Sequence, residues 1–228
     1  MIPNRRLFVA YVAPYFAYVL IASVAGSFVP MAVSYIFRII AVTILLLWAK
    51  QWFFSFKGPK SPLVSTFIGI LAGVIGLILW IVLLTPFVSG VEAKAWTNSA
   101  FVLRLLAAGL LVPVFEEVFI RGFVFRFALQ WDELRRHKTN DALELALDER
   151  SVNDVQPGAW SWMAVILSTI VFALGHAVPE WPAAIAYGLL MAGLYILRKD
   201  LLSCFIAHGV TNIGLALYVF KTGQWYLW

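Results

Sequence analysis

The sequence predicts an all-α fold, a polytopic membrane helix bundle of about seven transmembrane helices with its N-terminus in the cytoplasm. Three observations carry this expectation. The 228-residue chain is 62% hydrophobic and 13% charged, with a mean hydropathy of +0.88. A soluble domain is roughly 45–50% apolar and about 25% charged. Several separate apolar runs reach the ~20 residues that cross a bilayer, and basic residues gather in alternate connections, as the positive-inside rule requires.

The elements follow in order. A first span over 8–28 comes after Arg5 and Arg6; it is too long, and lacks the small-residue cleavage site, for a signal peptide. A second, 31–53, is entered through the uncharged "FVPMA" and left through Lys50, Lys57 and Lys60. The third, 63–88, leads to a loop holding Lys94. The fourth, 99–128, is followed by Arg126, Arg135, Arg136 and Lys138. The fifth, 160–178, and sixth, 182–198, precede Arg198 and Lys199, and the seventh is 201–220. The closing "GQWYLW" suits an interfacial aromatic belt outside the cell. The connection 131–158 is mixed in charge and reads as a solvated connector. Leu143, Leu145 and Leu147 mark a short surface helix within it, and His137 is a surface histidine. No stretch outside the spans is long enough to fold alone, so the chain is one membrane-embedded domain. Its net charge of +5 is loop asymmetry, not nucleic-acid affinity. A single cysteine, Cys204, excludes an intramolecular disulfide and a cysteine metal cage, and reads as a packing residue.

Function is sought in the ionisable groups at membrane depth, which cost about 2.5–3.5 kcal/mol each on insertion scales and therefore pair or mark a site. Arg38 and Arg104 are two, with bundle pairing or snorkelling as their expected role. "FEEVFIRGF", 115–123, supplies Glu116, Glu117 and Arg121. Glu117 and Arg121 are four apart with the acid first, the favourable order for a helical ion pair. Glu116 points about 100° away and has no partner in its own segment. "FALGH" offers His176, four residues after Phe172, and "HGVTN" offers His208 and Asn212 on one face. Lipid satisfies none of these groups, so Glu116, His176, His208 and Asn212 are expected to share a site. A carboxyl group kept from water binds its proton more tightly than a solvated one, which suits a general base near neutral pH. With one imidazole to orient water, and a second imidazole and an amide to donate to an oxyanion, the set describes a hydrolase of amide bonds. No GxSxG or HExxH motif is present.

In that order, on successive spans, "EEVFIR", "FALGH" and "HGVTN" resemble the EExxxR, FxxxH and HxxxN motifs of the CPBP family, the CAAX proteases and bacteriocin-processing (Abi) enzymes. These are glutamic-type intramembrane endopeptidases. The resemblance covers roughly 99–220, and the ending is similar to the branch found with exosortase and PEP-CTERM systems. It implies a catalytic core over 99–228 preceded by three accessory helices in 1–98. Glu116 would be the base, His176 would hold the water, His208 and Asn212 would stabilise the oxyanion, and Glu117, Arg121 and Phe172 would shape the site. It implies no cofactor and no metal. The expected partners are the bilayer and a membrane-embedded or lipid-proximal peptide, in a bacterial cytoplasmic membrane. The prenylated substrate of the eukaryotic branch is not carried over.

Three other readings compete: a zinc hydrolase built on Glu116, His176 and His208, a membrane peptide-binding, immunity or scaffold protein, and a proton-coupled transporter, for which the chain lacks repeats. A geometric conflict also stands. Seventeen residues into a span from 99, Glu116 falls ~26 Å along the helix, while His176 ends its own span on the opposite side. A helix broken at Pro113, with 99–112 oblique or re-entrant, would relieve the conflict.

Overall fold

A computed structural model describes residues 1–137 and 140–228; Lys138, counted above among the basic loop residues, lies outside the described residues. The described residues form helices and turns with no strand. The helices are α1 (Asn4–Ala25), α2 (Met31–Ala49), α3 (Pro62–Val88), α4 (Asn98–Arg136), α5 (Ala142–Asp148), α6 (Trp162–Leu174), α7 (Trp181–Arg198) and α8 (Leu202–Thr222). Six are long and apolar enough to cross a membrane, α2 being extended to Trp52 and α7 starting at Val178 in that count; α6 is a shorter apolar helix. The protein is an integral membrane helix bundle.

Helices α3, α4, α6, α7 and α8 enclose the core. In α3, Ser65, Gly69, Ala72, Gly73 and Gly76 are buried, a small-residue face at helical spacing that lets backbones approach. A Cβ on Gly73 would stand 2.6 Å from the Ala207 carbonyl of α8. The opposite face of α3 exposes Leu63, Phe67, Ile78 and Val82, as lipid contact demands. Helix α7 turns Tyr187, Met191 and Tyr195 inward, almost fully buried, and exposes Ile185 and Leu189.

Two spans differ in length from the sequence expectation, and the difference removes the geometric conflict. Helix α4 runs 39 residues to Arg136, so Glu116 sits near its midpoint. Helix α6 runs only 13 residues, about 20 Å at 1.5 Å per residue. It starts at Ser161, whose hydroxyl accepts from the Ala164 N–H, and ends at Leu174 ahead of Pro179. His176 therefore lies past the end of a short helix, not at the far end of a full span. The break proposed at Pro113 does not occur; α4 continues through it.

The connection 131–158 is not a solvated connector throughout. Ala146, Ser151 and Val152 are buried. Buried Asn4 donates to Gln130 and to the Ala146 carbonyl and accepts from the Val152 N–H. Arg126 donates to the Val152 carbonyl and the Tyr195 hydroxyl, both at 2.7 Å. Tyr11 donates to Asn153 at 2.6 Å and accepts from the Phe54 N–H. These bonds tie α1, the segment after α2, α4 and the connection into one polar end. The leucines at 143, 145 and 147 do lie on a short helix, α5, and His137 is exposed.

Candidate active site

The site is organised by α4 where its winding widens. Ala107–Leu111 and Val118–Val124 are π-helical: the Val112 N–H bonds to the Ala107 carbonyl and the Phe125 N–H to the Ile120 carbonyl, five residues back. Such turns concentrate at functional sites. The first has a chemical cause. Pro113 has no N–H, so it can serve neither the Gly109 carbonyl in α register nor the Ala108 carbonyl in π register. Ala108 instead receives Asn212 Nδ2 of α8 at 2.8 Å. Helix α8 can come that close because Gly209 faces the gap; a Cβ there would stand 2.8 Å from the Gly109 carbonyl. Proline thus shapes the helix without breaking it.

One turn later, Glu117 and Arg121 have fully buried side chains. Arg121 Nη1 lies 3.3 Å from both Glu117 oxygens, and Nη2 donates to the Gly188 carbonyl at 3.1 Å. The guanidinium also stands 5.2 Å from the Phe172 ring centre. Glu117 has a second partner that the helical pairing did not indicate: His208 Nδ1, at 2.9 Å. A carboxylate only accepts, so Nδ1 carries the proton. The other ring nitrogen, Nε2, then faces Glu116 Oε2 across 3.9 Å.

Glu116 is built differently. Its side chain keeps 16% exposure, and it makes no hydrogen bond to protein among the described residues. It lines a cavity of about 320 Å³ together with His176, His208 and Asn212. His176 is held by its Nδ1–H, which donates to the Phe172 carbonyl at 2.9 Å, leaving Nε2 unprotonated when the ring is neutral. Its turn is pinned by the Trp181 indole, which donates to the His176 carbonyl, and by Glu180, which accepts from the Ala177 N–H. Phe172 packs against His176 with ring centres 4.7 Å apart, and Trp80 covers another side at 5.2 Å. The cavity thus unites the four residues expected to share a site; Phe172 lines it with them, and Glu117 and Arg121 are packed behind.

Sequence reasoning missed several lining residues. Trp80 and Tyr187 enclose the imidazoles. Tyr18, Tyr35 and Trp228 line the same cavity, and so do Arg38 and Arg104, whose place at membrane depth the sequence did mark without giving them a shared site. Only the packing of α1, α2, α4 and the C-terminal segment brings these residues together. Among the described residues no three His, Cys, Asp or Glu side chains converge as a metal cage would require.

The model of the Rce1-like family, described as type II CAAX prenyl endopeptidase Rce1-like, matches residues 98–214 of this chain. The chain belongs to that family. No curated protein and no solved structure matches it. The Rce1-like match spans α4 to the middle of α8, and so contains Glu116, Glu117, Arg121, Phe172, His176, His208 and Asn212. Arg38 and Trp228 lie outside it. Membership of the Rce1-like family makes the chain a membrane protease of CAAX type in its general class.

Proposed function

We propose that the chain is a glutamic-type intramembrane endopeptidase that hydrolyses a peptide bond of a membrane-embedded or lipid-proximal substrate. Residues 99–228 form the catalytic core and 1–98 supply flanking helices, in a bacterial cytoplasmic membrane as the motif resemblance implies. The observation that carries the reading is the contrast at His208. Its Nδ1 is fixed by the buried Glu117–Arg121 pair, while its Nε2 looks across 3.9 Å at a Glu116 side chain free of protein hydrogen bonds among the described residues. Such an arrangement holds one catalytic group rigid and leaves room for a small molecule beside the other.

In this mechanism a water sits against Glu116 and donates its second hydrogen to His176 Nε2. Glu116 takes a proton as the water oxygen attacks the scissile carbonyl carbon. The carbonyl oxygen becomes an oxyanion. Asn212 meets it with the amide hydrogen not used on Ala108, and His208 donates from Nε2 when that nitrogen carries a proton. Donors of this kind typically contribute 10²–10³ in rate. Glu116 then returns the proton to the amide nitrogen, the C–N bond breaks, and an acid and an amine leave. Every step is proton transfer and addition–elimination, within the reach of these side chains.

The test is substrate-blind. Membranes of the native host are incubated with purified protein, with and without a strong chelator, and new peptide termini are counted by mass spectrometry. Termini that appear with the protein and survive the chelator support the reading. Loss of cleavage with the chelator and its return with zinc would move the assignment to a zinc hydrolase on Glu116, His176 and His208. No new termini from folded protein would favour a peptide-binding protein.

A further inference from the structure

The cavity has a second charged end that the hydrolytic reading does not use. Arg38 of α2 and Arg104 of α4 line it, half-buried. Among the described residues neither has a carboxylate within 4 Å, and neither has the carbonyl partner that buried Arg126 and Arg198 use in place of one. The Arg38 side chain donates to Ser34, and the Arg104 side chain makes no hydrogen bond among the described residues. What holds them is aromatic. Arg38 lies 5.3 Å from the Tyr18 ring centre and 4.4 Å from that of Tyr35. Tyr35 packs on Trp96 at 6.1 Å, and Arg104 is sandwiched by Trp96 at 4.5 Å and Trp228 at 4.3 Å. Cations and rings thus alternate from Tyr18 to Trp228, with Trp96 behind the residues that line the cavity.

This ladder has a chemical meaning. A guanidinium stacked on a ring face keeps its N–H donors in its own plane, free to form a two-point bond with a planar anion. Two arginines facing one cavity inside a membrane bundle repel each other and carry an unmet cost. Trp228 adds a buried indole N–H that has no partner either. Glu180 is the other carboxylate lining the cavity with Glu116, but it is engaged with the Ala177 N–H and lies beyond ion-pair distance of both arginines among the described contacts. The wall is built for an anion that comes from outside the protein.

We propose that Arg38 and Arg104 form an anion subsite that takes a carboxylate of the peptide substrate. The proposal rests on the endopeptidase reading for the identity of the ligand as a peptide. Arg104 and Glu116 are twelve positions apart on α4, about 18 Å along the axis at 1.5 Å per residue. An extended chain covers that in roughly five or six residues. The subsite therefore selects substrates with a carboxylate, as a free C-terminus or an acidic side chain, within about six residues of the scissile bond. Enclosure in the same cavity as the hydrolytic group favours a peptide over a lipid phosphate.

Binding tests this apart from catalysis. The Glu116→Gln protein, in nanodiscs of phosphatidylcholine, is titrated with dansylated leucine–alanine heptapeptides. One has a free C-terminal carboxylate, one a single aspartate and an amidated end, and one no charge. At least one carboxylate probe is expected to bind about tenfold or more tighter than the uncharged one, the scale of charged hydrogen bonds; which one does so identifies the source. Arg38→Gln and Arg104→Gln should abolish the preference, and Arg104→Lys should keep part of it. Equal binding of all three probes to the Arg-intact protein would overturn the proposal with no variant needed. So would a preference that persists in a folded Arg38→Gln/Arg104→Gln protein, or one displaced by adding phosphatidylglycerol to the nanodisc, which would assign the subsite to lipid. A carboxylate preference in a protein whose wild type cuts nothing would keep the subsite and remove the endopeptidase reading.

Discussion

Helix α4 carries ionisable groups on two faces, and the faces are built on opposite terms. On the enclosed face, Glu117 and Arg121 are fully buried and spend their bonding capacity on each other, on His208 and on the Gly188 carbonyl. On the cavity face, the Glu116 and Arg104 side chains make no hydrogen bond to protein among the described residues, though each lines a space of about 320 Å³. Glu116 and Glu117 are neighbours in sequence, so composition cannot explain the contrast; about 100° of rotation around a helix does. The difference teaches how to read charge inside a membrane bundle. A paired buried charge reports the architecture, and an unpaired one beside a cavity reports a ligand.

The comparison can be broken at either face. Arg121→Ala should have the largest effect on stability, a loss of ~3–5 kcal/mol, because it strands Glu117 without its cation. Denaturant or detergent unfolding of the reconstituted protein measures it, and a loss under about 1 kcal/mol would mean the enclosed face is not structural in the sense argued. Next is Asn212→Ala, expected to lower the cleavage rate constant by about 10²–10³, with KM moving far less. A change confined to KM would take the amide out of oxyanion stabilisation. Tyr11→Phe, at the polar end of the bundle, should cost ~1–3 kcal/mol by leaving Asn153 and the Phe54 N–H short of a partner, with the rate constant of the folded enzyme unchanged.

The smallest effect is at the surface. The hydrogen bond from Arg5, helped by its charge, holds the Asp148 carboxyl below its usual range. A lowered folded-state value stabilises the protein above the ordinary carboxylate pKa of about 3.9 and loses that contribution as pH falls below it. Asp148→Asn should flatten this part of the pH–stability curve and leave the neutral-pH value nearly unchanged, because exposed pairs contribute little.

Much of this was legible in the sequence. Apolar run lengths placed all the long helices, since bilayer thickness fixes the number of residues a span requires. The motif residues were legible because ionisable groups are rare at that depth. What stayed hidden depends on geometry between helices. Run length alone could not show that α6 stops at Leu174 or that α4 continues to Arg136, and those lengths bring His176 and Glu116 to one cavity. Pro113 signalled a disturbance, but its form was a widened turn with Asn212 on the Ala108 carbonyl. Nothing in the sequence marked Asn4, which is buried at the hub of the connection after α4. Arg38 and Arg104 are 66 positions apart, and no periodicity links them.

The central claim is that Glu116 works on water while its neighbour Glu117 holds the structure. The most direct measurement is the cleavage rate of purified Glu116→Gln protein on a peptide identified from the host-membrane experiment, with its unfolding midpoint recorded on the same preparation. The account expects a wild-type midpoint and a rate lower by about 10²–10⁴, the contribution of a general base. A folded Glu116→Gln protein that cuts at the wild-type rate would contradict it.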